Sequence, residues 1–450
     1  MRTNPQNPAM ALRRELGLFS AALIVVGGII GSGIFFTPAA TAAALPSGAW
    51  VLFVWTLGGV VALAGALTYA ELGAMLPEAG GAYVYIREAF GPLPAFLSAW
   101  MNLGLISSGA IAAVAMGFAG YLGRFVALDA VGGPLGVATI TIVALTATNV
   151  LGIRPGVAVQ NVLTIAKIAA LAGLIVGGLV LAFGHAGAPS PPLVVPQALP
   201  IGRGFAAAFV AVLFTIGGWQ QMNMIAGEIR DPARNIPRAL GIGIAIVIVV
   251  YLGVTGTYLM ALGRDGLAAS VAPAAETAAR FGGPAAATAI TVAAMLSILG
   301  FVNVALLTNA RVVFALGSDV PVLRAAGRVH ARFGSPHVAL AMLGGWSLAL
   351  LLATRGNIGT LLSGVVFADW IFFALGAACV FRLRRTMPDA RRPYRALGYP
   401  WLPGFFVAAG VVGIVSAYVS AFRMSVFGTA LLGVGAVIWL VADGRRERPL

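Results

Sequence analysis

The chain has 450 residues, of which 60% are hydrophobic and only 9% charged, and its mean hydropathy is +0.96. A soluble domain carries roughly 25% charged residues, so this composition excludes soluble folds and describes an all-α protein that crosses a membrane many times. The formal net charge of +14 comes from cations scattered in short loops between apolar runs, a pattern of membrane topology that excludes nucleic acid as a partner.

Apolar runs of about 20 residues predict twelve spans. A polar segment, 1–15, ends on Arg13, Arg14 and Glu15. The run 16–36 looks superficially like a secretory signal, yet it is too long, is broken by Gly31-Ser32-Gly33 and precedes many further spans, so it is span 1 and is retained. Span 2 covers 48–75, and the polar interval 76–91 reads as an amphipathic turn leading into span 3 at 92–125. Spans 4 and 5 follow at 135–153 and 157–183, with Lys167, the sole lysine, inside span 5. After the interval 184–202 comes span 6 at 203–227, interrupted by Gly217-Gly218. Span 7 covers 238–263, and the interval 264–283 carries Glu276 and Arg280 at helical spacing, which predicts a short helix capping a vestibule. Spans 8, 9 and 10 fall at 285–317, 336–354 and 358–383, the last with Asp369 near its middle, and spans 11 and 12 at 400–421 and 424–442 close the chain. No linker separates folding units. The predicted organisation is an N-terminal segment 1–15, a core 16–383 and a C-terminal part 384–450 holding spans 11 and 12. Broken spans 1 and 6 take corresponding places if spans 1–5 and 6–10 form two units, which points to the inverted repeat of secondary transporters.

Charge sets the orientation. With the N-terminus in the cytoplasm, 21 of the 28 basic residues fall on the inner side, six on the outer side, and Lys167 within a span. Both termini are therefore expected to be cytoplasmic. Abundant Ala, Gly and Arg beside a single lysine suggest a GC-rich bacterial genome, and hence a bacterial cytoplasmic membrane. Cys379 is the only cysteine, so no intrachain disulfide can form and no disulfide-linked subunit is expected. His185, His330 and His337 fall in loops or at a helix end, and no HExxH or paired-aspartate motif is present. No metal, no cofactor and no membrane-embedded enzyme are expected, and no filter-like segment suggests a channel.

The two breaks carry the chemistry. Glycine tolerates the dihedrals that interrupt a helix, and each interruption frees N–H groups at one half-helix end and carbonyls at the other. The N–H end suits a carboxylate and the carbonyl end an ammonium group. Together such ends recognise a zwitterion. The competing explanation for glycines within spans is close helix packing.

Several segments together resemble the amino acid–polyamine–organocation superfamily, in its L-type amino acid transporter branch. They are Ile29-Ile30-Gly31-Ser32-Gly33-Ile34-Phe35, Tyr69-Ala70-Glu71-Leu72-Gly73, Gly80-Gly81-Ala82-Tyr83, Val159-Gln160-Asn161 through Lys167, Phe214 through Trp219, and Gly227-Glu228-Ile229-Arg230-Asp231-Pro232 through Ala239. The similarity covers roughly residues 15–385, and spans 11 and 12 match in topology alone. It implies a five-plus-five inverted repeat with broken helices 1 and 6, two additional C-terminal helices, and alternating access. By position, it implies that Ser32 and Gly33, next to Gly31, bind the substrate carboxylate. The carbonyls of Ile29, Phe214 and Gly217, next to Gly218, take the amino group, and Phe214 closes over the ligand as an aromatic gate. Thr215-Ile216 stands where related proteins often carry Ala or Ser and Tyr, which leaves side-chain selectivity open. The resemblance also places Lys167 where relatives bind sodium, so that its ammonium group replaces the ion.

Taken on its own, Lys167 is either a proton carrier or a strut between spans, since a cation in a span must face polar groups. Asp369 either pairs across the bundle or belongs to a proton path. Asn102, Ser107, Ser108 and Asn303 either line the site or join helices, and Trp219 is either packing or an accessory to the site. Glu71, Glu228 and Arg311 are either an inner gate or solvated anchors at helix ends. The function expected is a neutral L-amino acid permease, an exchanger or proton symporter, acting as a monomer or weak homo-oligomer with amino acid and lipid bilayer as its partners. The alternatives are a polyamine or other organic-amine permease and a non-transporting amino acid sensor.

Overall fold

The computed structural model describes residues 12–183, 198–357, 365–420 and 422–444. The first eleven residues, most of the 184–202 interval with His185, the start of predicted span 10 and the basic tail lie outside them. Among the described residues the protein is all-helical, with α1 (Leu18–Ile29), α2 (Gly33–Ala44), α3 (Gly48–Met75), α4 (Ala82–Phe90), α5 (Pro92–Met101), α6 (Ser107–Leu122), α7 (Gly133–Val150) and α8 (Ile153–Phe183). There follow α9 (Ile201–Thr215), α10 (Gln221–Met224), α11 (Pro232–Ala269), α12 (Pro273–Asp319), α13 (His337–Ala353), α14 (Val365–Thr386), α15 (Trp401–Ser420) and α16 (Phe422–Gly444). Six of these, together with the continuous run Pro92–Leu122 that holds α5 and α6, make seven helices long and apolar enough to cross a membrane, and α1 with α2, bent by 40°, adds a broken span. The chain is a multi-pass membrane protein. Exposed Ile140 and Val143 on α7, Val162 and Val176 on α8 and Val411 and Val415 on α15 give it an apolar outer surface suited to hydrocarbon.

Proline and glycine punctuate the helices where a missing N–H or an unusual dihedral costs least. Proline opens α5, α7, α11 and α12, the position where its absent donor has no intrahelical partner anyway. The glycines of α3 seat neighbouring side chains: a Cβ on Gly65 would meet Trp219 Cζ2 at 2.6 Å, and one on Gly59 would meet Ile248 Cγ1 at 3.2 Å. Small residues substitute here for a hydrophobic driving force that lipid cannot supply.

Three expectations shift. The interval 76–91 is more than a turn, since α4 forms within it and buries Tyr83, Val84, Tyr85 and Ile86. Span 1 continues through α2 to Ala44, because its break relieves the helix without ending the span. The 264–283 interval is helical on both sides of Ser270, with non-helical dihedrals at Gly263 and Gly283. Its second half lies against a small cavity of about 10 Å³ lined by Phe35, Tyr121, Arg124 and Ala274.

The broken elements are antiparallel. α1 packs on α10 and α2 on α9, so the first half of one meets the second half of the other. Residue 16 lies beside Glu228 and Ile229: the Leu16 N–H donates to the Glu228 carbonyl (3.0 Å) and the Arg230 N–H to the Leu16 carbonyl (2.8 Å). The side holding these residues, α4 and Asp319 is called the N-terminal face below.

Candidate substrate site

α1 ends at Ile29, and Gly31 N–H folds back onto the Ile29 carbonyl at 2.9 Å. α2 then starts afresh at Gly33 with no acidic residue in its first turn and no side-chain cap from Ser32, so its first backbone donors face outward without a protein acceptor. In the partner element, α9 ends at Thr215 and five residues, 216–220, run non-helically before α10. Gly218 there has φ +105°, and a Cβ on it would run into the Gly28 carbonyl. Only glycine permits both the left-handed dihedral and this approach of the two breaks. Tyr251 ties them: its hydroxyl reaches the Ile29 carbonyl (3.0 Å) and the Thr215 carbonyl (3.3 Å). The Ile29 carbonyl is thus already engaged twice and the Phe214 carbonyl takes Gly217 N–H at 3.3 Å, while the Gly217 carbonyl accepts no hydrogen bond among the described residues.

A cavity of about 140 Å³ lies between the breaks, and Ile29, Gly31, Ser32, Gly33, Phe214, Thr215, Gly217 and Gly218 all line it. Phe214, 40% exposed within an otherwise buried turn of α9, presents its ring to the space. Asn102, Ser107 and Asp369 also line the cavity, as do Ser98, Gln220, Gln221 and Asn309. Asn102 opens a short π-helical stretch, Asn102–Ile106, between α5 and α6, a distortion frequent at functional positions. Ala82 and Tyr83 of α4 and Met224 carry the wall toward the N-terminal face. On the other side of the breaks Thr37 Oγ1 meets Thr215 Oγ1 (2.7 Å) and Phe36 meets Tyr121, ring centroids 5.9 Å apart.

Residues 16–441 match the family described as Amino acid permease. The chain belongs to this family, within the amino acid–polyamine–organocation superfamily. It is 32% identical over 391 residues to b(0,+)-type amino acid transporter 1 of Mus musculus, covering 86% of this chain and 79% of the relative. It is 31% identical over 403 residues to the serine/threonine exchanger SteT of Bacillus subtilis (strain 168), covering 88% and 89%. With large neutral amino acids transporter small subunit 2 of Homo sapiens, identity is 32% over 402 residues, covering 86% and 72%. These relatives are transporters and the protein is not an enzyme.

In the permease, three predicted accessory residues stand outside the cavity wall. Lys167 of α8 reaches the end of α1, where Nζ donates to the carbonyls of Ile30 (2.5 Å), Gly27 (3.4 Å) and Ser297 (3.4 Å). Ser297 Oγ donates to Ile30 and Gly31 carbonyls at 3.1 and 2.9 Å. The ammonium group therefore satisfies the Gly27 and Ile30 carbonyls beside the break and also reaches Ser297, joining α1, α8 and α12. Asn303 is wholly engaged elsewhere, donating to the Gly156 carbonyl (3.0 Å) and Gln160 Oε1 (3.1 Å) and accepting from Asn149 (3.0 Å). Trp219 is buried among Tyr69, Phe373 and Phe406, where the ring fills space beneath the turn. Ser108 likewise spends its hydroxyl on the Leu103 carbonyl.

The ionic groups near the N-terminal face are not solvated anchors. Glu228 and Arg311 are both 1% exposed and pair through two contacts of 2.8 and 3.3 Å, with Arg311 also donating to the Leu307 carbonyl at 2.6 Å. Buried Glu71 accepts from Arg384 at 2.6 and 2.9 Å and from Ala396 N–H at 2.6 Å. Tyr83 and Arg87 both donate to Asp319 Oδ2 at 2.7 Å. Burial, then the bond to Asp319, pushes the Tyr83 phenol well above its ordinary value, so it remains a donor throughout the physiological pH range. Each pair bridges elements distant in sequence, which spacing alone does not reveal.

Asn309, Gln220, Gln221 and Tyr251 were not singled out by their sequence context. The available signal was polarity inside otherwise apolar runs, and it does not say which face of a helix is presented to the cavity.

Proposed function

We propose that the permease carries neutral L-amino acids across the membrane by alternating access, as a sodium-independent exchanger or proton symporter without a bound cofactor. The observation that carries this is the convergence of both breaks on one cavity: unpaired donors at the start of α2 suit a carboxylate, and the open Gly217 carbonyl suits an ammonium group. Ser32 and Gly33 are the proposed carboxylate donors, Gly217 the principal acceptor and Phe214 the gate. The antiparallel crossing of α1–α2 with α9–α10 supports two inverted five-span units within residues 16–383, with α15 and α16 appended, twelve spans in all. Cytoplasmic termini follow from the arginine distribution, and a bacterial cytoplasmic membrane fits the composition and the SteT match.

With this orientation the cavity extends toward the cytoplasm, while the Thr37–Thr215 and Phe36–Tyr121 contacts close the outer side. Sodium independence is supported by Lys167, whose ammonium group fills the cluster of carbonyls that a cation would occupy. Asp369 on the cavity wall is the one observation favouring an organic-amine substrate, but such a ligand leaves the donors of α2 without a carboxylate.

The test is uptake of radiolabelled amino acids into proteoliposomes, with and without sodium, a pH gradient or internal amino acid. Uptake of neutral amino acids unaffected by sodium supports the proposal. Uptake of polyamines alone would replace it, and binding without flux would indicate a sensor.

A further inference from the structure

The wall of the cavity away from the breaks is chemically lopsided. Among the described residues, Asp369 is the only ionisable carboxyl on it and no basic residue lines the cavity. Among the described residues no hydrogen bond or ion pair reaches the Asp369 side chain. Its neighbours Trp370, Phe372 and Phe373 also line the space, so α14 presents one acid in an aromatic surface. Across the cavity, Asn102 spends its amide N–H on Asn309 Oδ1 at 3.0 Å, while its own Oδ1 is buried and without a partner. Asn309 in turn spends its amide on the Ala305 carbonyl at 2.9 Å. The Asp369 carboxyl therefore lines the cavity without a donor, and a buried polar group left unpaired costs free energy that a ligand can relieve.

A ligand whose carboxylate sits at α2 and whose ammonium group meets Gly217 has only its side chain left to satisfy this wall. The space, about 140 Å³, is close to the roughly 150 Å³ of an apolar cavity that admits benzene, so a side chain the size of threonine or valine fits within it.

We infer that Asp369 is a specificity-determining residue that selects amino acids with a hydrogen-bond-donating side chain, serine and threonine among them, over their aliphatic isosteres. This deepens the proposed amino acid transport and rests on it. The names of the relatives do not decide the matter, since they include both a serine/threonine exchanger and a transporter of large neutral amino acids.

The decisive comparison uses the isosteric pair threonine and valine, with serine and alanine beside it, as competitors in equilibrium binding to the purified full-length protein. A site built around an acceptor for a hydroxyl discriminates against the analogue lacking it, and a hydrogen bond to the Asp369 carboxyl is expected to give threonine an advantage of about tenfold. Asp369→Leu should bring the threonine-to-valine ratio to within about twofold. Asp369→Asn, which keeps the shape and one acceptor oxygen, should leave an intermediate ratio. Because the readout is a ratio within one preparation, reduced yield of a variant does not obscure it, and the wild-type ratio stands as a test even if a variant fails to fold. A wild-type ratio near one, or a ratio preserved in both Asp369 variants, overturns the inference. If all four amino acids bind alike, amino acid transport stands and this selectivity falls. If none binds, the transport proposal itself fails.

Discussion

Gly33→Val strikes the point where α2 begins and α9 passes closest. A Cβ at this position would lie 2.5 Å from Thr215 Cγ2 and 2.8 Å from Thr215 Oγ1, against a comfortable carbon–carbon separation of about 3.5 Å or more. Thr215 cannot simply swing away, because its hydroxyl donates to the Ala211 carbonyl at 2.8 Å and meets Thr37 at 2.7 Å. The start of α2 must therefore retreat by about 1 Å, the distance that restores van der Waals contact, and valine's two further carbons add to the displacement. The Ser32 and Gly33 N–H groups move with it. If each supplies a hydrogen bond to the substrate carboxylate worth about 1.5–3 kcal/mol, losing both costs about 3–6 kcal/mol, and Kd rises by about 10²–10⁴. Binding by calorimetry and uptake in proteoliposomes should both fall accordingly, while the yield of inserted, monodisperse protein stays close to wild type. Uptake within about threefold of wild type would refute the placement of the carboxylate, and loss of uptake with full binding would move the role of Gly33 from recognition to gating.

Three further outcomes follow from the geometry. Glu228→Ala or Arg311→Met alone leaves an uncompensated buried charge and should lower stability by about 3–5 kcal/mol. The paired apolar replacement should recover much of this, so thermal melts in which the double variant is worse than either single one would contradict a buried pair. Tyr251→Phe removes the hydroxyl that spans Ile29 and Thr215 and should weaken substrate binding by about tenfold, checked by titration; unchanged affinity would show that the breaks hold their positions without it. Lys167→Ala leaves the Gly27, Ile30 and Ser297 carbonyls without their cation. It should alter the dependence of uptake on sodium or on pH, over roughly pH 5–8, more than it alters expression, and an unchanged profile of both would leave the lysine as a strut alone.

The sequence by itself determined the membrane class, the approximate position of each apolar run, and the two breaks. Each follows from local chemistry: hydrocarbon demands apolar residues and satisfied backbone groups, and glycine clusters mark where a helix can open. Resemblance of Gly31-Ser32-Gly33 and of the Phe214–Trp219 segment to known transporters named the eight substrate-site candidates that the structure gathers around one cavity. What only the tertiary structure decided was which polar side chains share a space. Asn303 and Asn309 are six residues apart on α12, yet one is consumed by a buried network with α7 and α8 and the other lines the cavity. Nearly every face of these spans is apolar, so periodicity gives little sign of which one turns inward. Nor does spacing along the chain disclose that Glu228 meets Arg311, that Glu71 meets Arg384, or that Tyr251 bridges the two breaks. Those pairings arise from helices packed against partners far away in the chain, where a single close approach such as Gly28 against Gly218 sets the register of everything around it.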